Sequence, residues 1–235
     1  MKRLACLLLL LAAPLPAGAQ AAAPPAAAAP DSAARDALIE RAVILIHQKK
    51  AAEAIPLLDR VIAAEEKAHA GEKRQIYSAR SSAESLMYML EAAAAKKEAV
   101  AVGPEWSLAL FLKGFALVDL GSADAAGPLF ERAVALSPAN SQYLAELGEW
   151  HKNRREWDQA YARFKKAEDV AGLVAEHRRK PERSRALRGM GFVLIEQGKL
   201  EEAEKMFRKC LELDPNDEGA KGELEFIRQQ RRSRT

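Results

Sequence analysis

The chain has 235 residues, of which 49% are apolar but only 6% aromatic, and its formal net charge is +3. So few aromatics among so many small apolar residues suit an α protein packed on alanine and leucine better than a β sandwich. The balance falls to about +1 if Lys2 and Arg3 leave with a leader, so there is no concentrated basic face of the kind nucleic acid requires.

Residues 1–19 have the pattern of an export leader. Lys2 and Arg3 supply positive charge, residues 4–15 a short leucine-rich core, and Ala17-Gly18-Ala19 a small-residue cleavage site before Gln20. That core is too short to anchor in a bilayer, so the mature protein is expected in the periplasm. Cys6 lies at the start of the apolar core and not after it, which excludes a lipid-modified cysteine there. Residues 20–32 are rich in alanine and proline and are expected to form a flexible tether, with Asp31 as a plausible N-cap for the first helix. After cleavage only Cys210 remains, so no internal disulfide is available.

Residues 33–104 are predicted to form degenerate helical hairpins. Leu38, Ala42, Leu45 and Ile46 make an amphipathic stripe over residues 33–48. A second helix is predicted over residues 52–69, and its segment AIPLLDRVIA (54–63) matches AGPLFERAVA (126–135) in residue type, including Pro56 against Pro128. Proline is tolerated in a first helical turn, so both helices are expected to start close before it. Pro104 lies one repeat length before Pro138, which implies a second unit in phase from about Lys73. Residues 71–103 are therefore expected to form two helices, although residues 74–79 and 99–102 could be extended instead. Ser81 and Glu84 form a capping box for a helix over 82–97, to which Leu86, Met87, Met89 and Leu90 would contribute the core face.

From residue 105 the periodicity is plain. A skeleton of Leu110, Gly114, Leu117, Gly121, Ala126, Phe130, Ala133 and Pro138 recurs as Leu144, Leu147, Gly148, Ala160, Phe164 and Ala167, and again as Leu187, Met190, Gly191, Leu194, Gly198, Ala203, Phe207, Cys210 and Pro215. The units span 107–140, 141–183 and 184–217. In the middle unit Arg155 takes the place of the turn glycine and nine extra residues follow. These are expected to lengthen its second helix past Gly172 to about Arg178, with Lys180-Pro181 ending it. Residues 218–235 form a final helix, apolar on one face, and a basic tail. That is how a solenoid shields its last hydrophobic surface.

The skeleton resembles the tetratricopeptide repeat, strongly over 107–215 and suggestively upstream. Its departures are Lys113, His151 and Gly172, where the pattern has large residues and a proline. The resemblance implies an all-α, right-handed superhelical solenoid of antiparallel helix pairs with a C-terminal capping helix. It also implies that the repeated letters are core, and that the first helix of each unit lines a concave groove. The partner-binding residues implied are Leu108, Phe111 and Phe115, then Lys152 and Asn153, then Arg185, Arg188, Phe192 and Ile195. The three phenylalanines and two arginines there suit an apolar, partly acidic peptide. Phe111 and Phe115 have an alternative role in packing against the preceding hairpin. They also stand where a carboxylate clamp would need Lys and Asn, so that binding mode is not expected.

No metal, nucleophile, phosphate-loop or dinucleotide motif is present, so no cofactor and no catalytic residue is assigned. His47, His69, His151 and His177 are dispersed, and pairs such as Glu65-Glu66 and Glu201-Glu202 read as solvated helix faces. Two basic clusters, residues 177–183 and the tail at Arg228, Arg231, Arg232 and Arg234, read as solvated helix ends rather than membrane contacts. The expected function is a non-catalytic interaction module of the cell envelope with a protein or peptide partner. An assembly or quality-control factor for an envelope machine is the alternative. An enzyme or enzyme regulator would need polar groups converging within 71–103, and a purely structural, self-associating protein is a third class.

Overall fold

A computed structural model describes residues 31–233, so the leader and most of the tether lie outside the described residues. The chain runs α1 (Ser32–His47), α2 (Ala51–Ala68), β1 (Gln75–Ser78), α3 (Ser82–Ala94), β2 (Ala99–Val102), α4 (Glu105–Asp119) and α5 (Ala123–Leu136). It continues with α6 (Ser141–Asn153), α7 (Trp157–Val170), a single 3₁₀ turn at Ala171–Leu173, α8 (Glu176–Glu196), α9 (Leu200–Leu213) and α10 (Glu218–Arg232). Four antiparallel pairs, α1/α2, α4/α5, α6/α7 and α8/α9, stack into an all-α solenoid that α10 closes.

The repeated letters form the core. In the three later hairpins a glycine of the first helix faces a phenylalanine of the second: a Cβ on Gly114, Gly148 or Gly191 would lie 2.7, 2.9 or 2.6 Å from the ring of Phe130, Phe164 or Phe207. Only a missing side chain lets these helices approach with a full ring between them. In α1/α2 the equivalent pair is Ala42 and Leu58, both fully buried, where a smaller partner leaves room for a methyl. Cys210 is also fully buried among the core residues, and burial pushes its thiol pKa up to about 12.

Each hairpin turns in the same way. The first helix ends on a left-handed residue, Lys49, Gly121, Arg155 or Gly198, with φ of 61°, 76°, 59° and 74°. The next amide then donates back five residues, Lys50 to Leu45 and Ser122 to Leu117 at 2.8 Å, Glu156 to His151 at 3.0 Å and Lys199 to Leu194 at 2.8 Å. Arg155 thus substitutes for glycine as expected, and Lys49 does so without a sequence signal.

The largest correction concerns residues 71–103. They are neither a second repeat unit nor two helices: the extended alternative at 74–79 and 99–102 is the one formed, on either side of the expected helix capped by Ser81. α2 packs directly along α4, as α7 does along α8, so the first hairpin is stacked on the unit at 107 with nothing between them. Residues 75–102 are a β-α-β excursion in which β1 and β2 pair in parallel, Gln75 opposite Ala99 through Ser78 opposite Val102. The spacing of Pro104 and Pro138 reflects only the start of the next unit. On α3 the buried residues are Tyr88 and Ala92, whereas Leu86 and Leu90 are 61% exposed; of the expected core face Met87 packs against the core, and the two leucines do not.

Three smaller corrections share one cause. Pro56, Pro128 and Pro181 are each the sixth residue of their helices, one turn deeper than expected, and Pro181 lies inside α8 instead of ending a helix. All three are exposed, so water can satisfy the single carbonyl that each one strands. The nine extra residues do not extend α7, which stops at Val170; they make the 3₁₀ turn and lengthen α8 at its N-terminus. In α1 the buried stripe is Ile39, Ala42, Leu45 and Ile46, with Leu38 only partly covered.

Candidate partner-binding groove

The first helices α4, α6 and α8, followed by α10, present equivalent positions at a constant offset within each unit. Phe111 is 4% exposed and stacks on Tyr143 of the next hairpin at 4.5 Å, with Phe130 of its own hairpin at 5.9 Å. It is core and is withdrawn as a binding residue. Its packing neighbour is the following unit, where the sequence reading had considered the preceding one. Leu108 and Phe115 are partly buried and pack at the margin of the core.

Toward the C-terminus the groove is assembled from several helices. The Lys152 ammonium of α6 lies over the Phe192 ring of α8, 4.8 Å from its centroid, and is also paired with Glu149. Glu223 of α10 lies close enough to be influenced by Lys152. Burial raises its carboxyl pKa above the ordinary value, while the Lys152 charge pulls the other way. Ile195 is partly buried and packs against the core, and Asn153 is exposed.

The two groove arginines are already paired. Arg185 donates to Glu146 at 2.7 Å, and Arg188 donates at 2.5 Å to Asp217, whose other carboxylate oxygen caps α10 through Ala220 N–H at 3.0 Å. An incoming carboxylate would have to displace these partners, so the acid-gripping role expected for both arginines is withdrawn. Arg188 instead joins α8 to the capping helix. The basic clusters are similarly engaged: Arg178 pairs with Glu182, Arg183 with Glu168, Arg228 with Glu225, and Arg231 with Glu201 and Glu204.

One groove residue was missed in the sequence. Phe226 of α10 is 41% exposed and stands at the offset of Phe115, Glu149 and Phe192 in the units before it. Continuing the repeat count through the cap would have found it; reading α10 only as a shield hid it.

The β-α-β excursion is tied to the α5–α6 corner by buried polar contacts. The Ser137 hydroxyl donates to the Ser78 carbonyl at 2.6 Å, and the fully buried Tyr88 hydroxyl accepts from Ala139 N–H at 3.2 Å and donates to Glu84 at 3.1 Å. Arg80 braces the same carboxylate through its backbone N–H and its guanidinium, at 2.7 to 3.1 Å. Each group in this cluster has a structural partner, and no cluster of three His, Cys, Asp or Glu suited to a metal occurs among the described residues.

Stacked helical hairpins with one open concave face define a scaffold of the protein-interaction class. Tetratricopeptide-repeat models match residues 83–141 and 137–216, together more than half of the chain. The chain belongs to the tetratricopeptide-repeat family. A solved structure of PilF from Pseudomonas aeruginosa is similar with a TM-score of 0.59 at 17% identity, covering 86% of this chain and 70% of that one. MamA from Desulfovibrio magneticus RS-1 is similar with a TM-score of 0.59 at 15% identity, covering 87% and 88%. At such identities the likeness concerns the fold. Comparison with curated protein sequences returns no match.

Proposed function

We propose that this chain is a non-catalytic interaction module of the cell envelope, exported by residues 1–19, that holds a segment of a partner protein in its concave groove. The observation that carries the reading is the line of side chains at one repeat offset: Phe115, Glu149, Phe192 and Phe226, with Lys152 beside Phe192. Three part-exposed aromatic rings, with Phe115 two units before Phe192 and Phe226 one unit after it, offer apolar anchors for a peptide laid across the helices. Glu149 and Lys152 between them supply a polar check on its register. The partner chemistry this supports is an apolar segment with a polar centre, in place of the acidic peptide expected from the sequence. The leader-like pattern of residues 1–19 in the sequence supports an envelope location.

The reading is tested by placing a photo-crosslinking amino acid at Phe192 or Phe226, and at the exposed Lys205 on α9 as a control, in the producing cells. One adduct shared by the two groove positions and absent at Lys205 is expected, together with recovery of the chain from the periplasm without residues 1–19. Adducts no different from the control would refute the groove, and recovery from the cytoplasm with the leader intact would refute the location.

A further inference from the structure

The β-α-β excursion leaves one strand edge open. Gln75 N–H donates to Glu98 C=O at 2.9 Å and Ala79 N–H to Val102 C=O at 3.0 Å. In a parallel ladder the N–H and C=O of one residue point to the same side and alternate residues to opposite sides. Glu98, Val100 and Val102 therefore face β1, and Ala99 and Ala101 direct their N–H and C=O to the other side, where Ala101 is part-exposed and Ala99 is buried. The far edge of β1 is covered, since Ser78 C=O accepts from Ser137, whereas no backbone partner meets Ala99 or Ala101 among the described residues.

Beside this edge lies an unpartnered apolar face. Leu86 and Met89 of α3 line a groove whose other wall is Ala101, Val102 and Gly103, and Leu90 continues the face one turn further on. The sheet is held by α3 and by the α5–α6 corner, but a strand edge beside uncovered leucines is a template for further pairing. The charges flanking β2 indicate what completes it. Lys97 precedes the strand, and Glu105 follows it with its carboxylate folded back over Gly103; neither has an ion-pair partner among the described residues.

We propose that a second copy of this chain completes the sheet, with two β2 edges pairing antiparallel about a two-fold axis. With Ala101 opposite its counterpart, Gly103 and the Glu105 carboxylate folded over it come opposite Ala99 of the other copy, two residues from Lys97. The four-stranded sheet then carries both α3 helices on one face, where Leu86 and Leu90 cover one another. The β2 edge and α3 are separate elements from the groove helices α4, α6, α8 and α10, so this inference does not rest on the groove reading.

Sedimentation of the full chain across a concentration series is expected to show a monomer–dimer equilibrium. Ala101→Pro removes an outward N–H that the ladder with β1 does not use, and Leu86→Lys places charges against charges across the axis. Each should weaken dimerisation by roughly tenfold or more with far-UV circular dichroism unchanged. Paired antiparallel residues lie about 4.5–5.5 Å apart at Cα, within disulfide reach, so Ala101→Cys should give an oxidised dimer that Ala93→Cys and the unsubstituted chain do not. A chain that stays monomeric with no crosslink at position 101 overturns the proposal. So does a dimer indifferent to both Ala101→Pro and Leu86→Lys, or an edge protected from hydrogen exchange only when a different protein is added.

Discussion

Gly189→Ala provides the sharpest test of how the hairpins are held together. Gly189 is on α8, and a Cβ there would lie 2.5 to 2.6 Å from three ring carbons of Phe164 on α7. Phe164 is fully buried, and Gly148 of α6 approaches the same ring at 2.9 Å, so the ring cannot yield without moving a second helix. Such overpacking costs about 1–3 kcal/mol, while replacing a helical glycine by alanine returns about 1 kcal/mol. Gly222→Ala on α10 separates the two effects, because Gly222 is exposed and nothing lies within 4 Å of its Cβ position. That variant should gain up to about 1 kcal/mol, and the difference between the two variants is the clash itself, about 1–3 kcal/mol. Urea denaturation followed by far-UV circular dichroism measures both, and in heating each kcal/mol corresponds to about 2–4 °C in Tm. Phe164→Leu should be better tolerated with Gly189→Ala than alone, because the smaller side chain relieves the contact. If Gly189→Ala is as stable as Gly222→Ala, the close approach of α7 and α8 is wrong.

Two further predictions concern the β-α-β excursion. Tyr88→Phe strands Ala139 N–H and removes a donor from Glu84, so it should cost about 1–3 kcal/mol and speed hydrogen exchange at residue 139, which is read by exchange mass spectrometry. Burial alone would raise the Glu84 pKa, but the hydrogen bonds and charge of Arg80 outweigh it and hold it below the ordinary 4.5. Stability from this group is therefore present above 4.5 and lost as the pH falls through the lower folded value. On acidification below that point the native chain should lose more stability than Glu84→Gln; equal slopes would show that Arg80 does not hold the carboxylate.

The hairpins after residue 105 were legible because their code is local. A glycine on one helix meets a phenylalanine of its own hairpin, and the spacing of Gly114 and Phe130 recurs in Gly148 and Phe164 and in Gly191 and Phe207. The groove was legible only as a set of offsets. Whether Phe111 faces a partner or Tyr143, and whether Arg188 is free or held by Asp217, depends on how successive hairpins are rotated, which no single repeat encodes.

What the amino-acid sequence determined by itself is the solenoid, its register and its closing helix, since helical period and small-residue spacing act within some thirty residues. What only the tertiary structure decided is the course of residues 71–103. The stretches QIYS and AVAV carry β-branched and aromatic residues that permit a strand, but four residues each are too short to show which strand they would pair with. The choice fell to a long-range constraint: α2 had already taken the face of α4 on which another hairpin would have stacked. The intervening chain had to leave the solenoid, pair its own backbone in parallel, and fasten itself to the α5–α6 corner through Tyr88, Ser78 and Ser137.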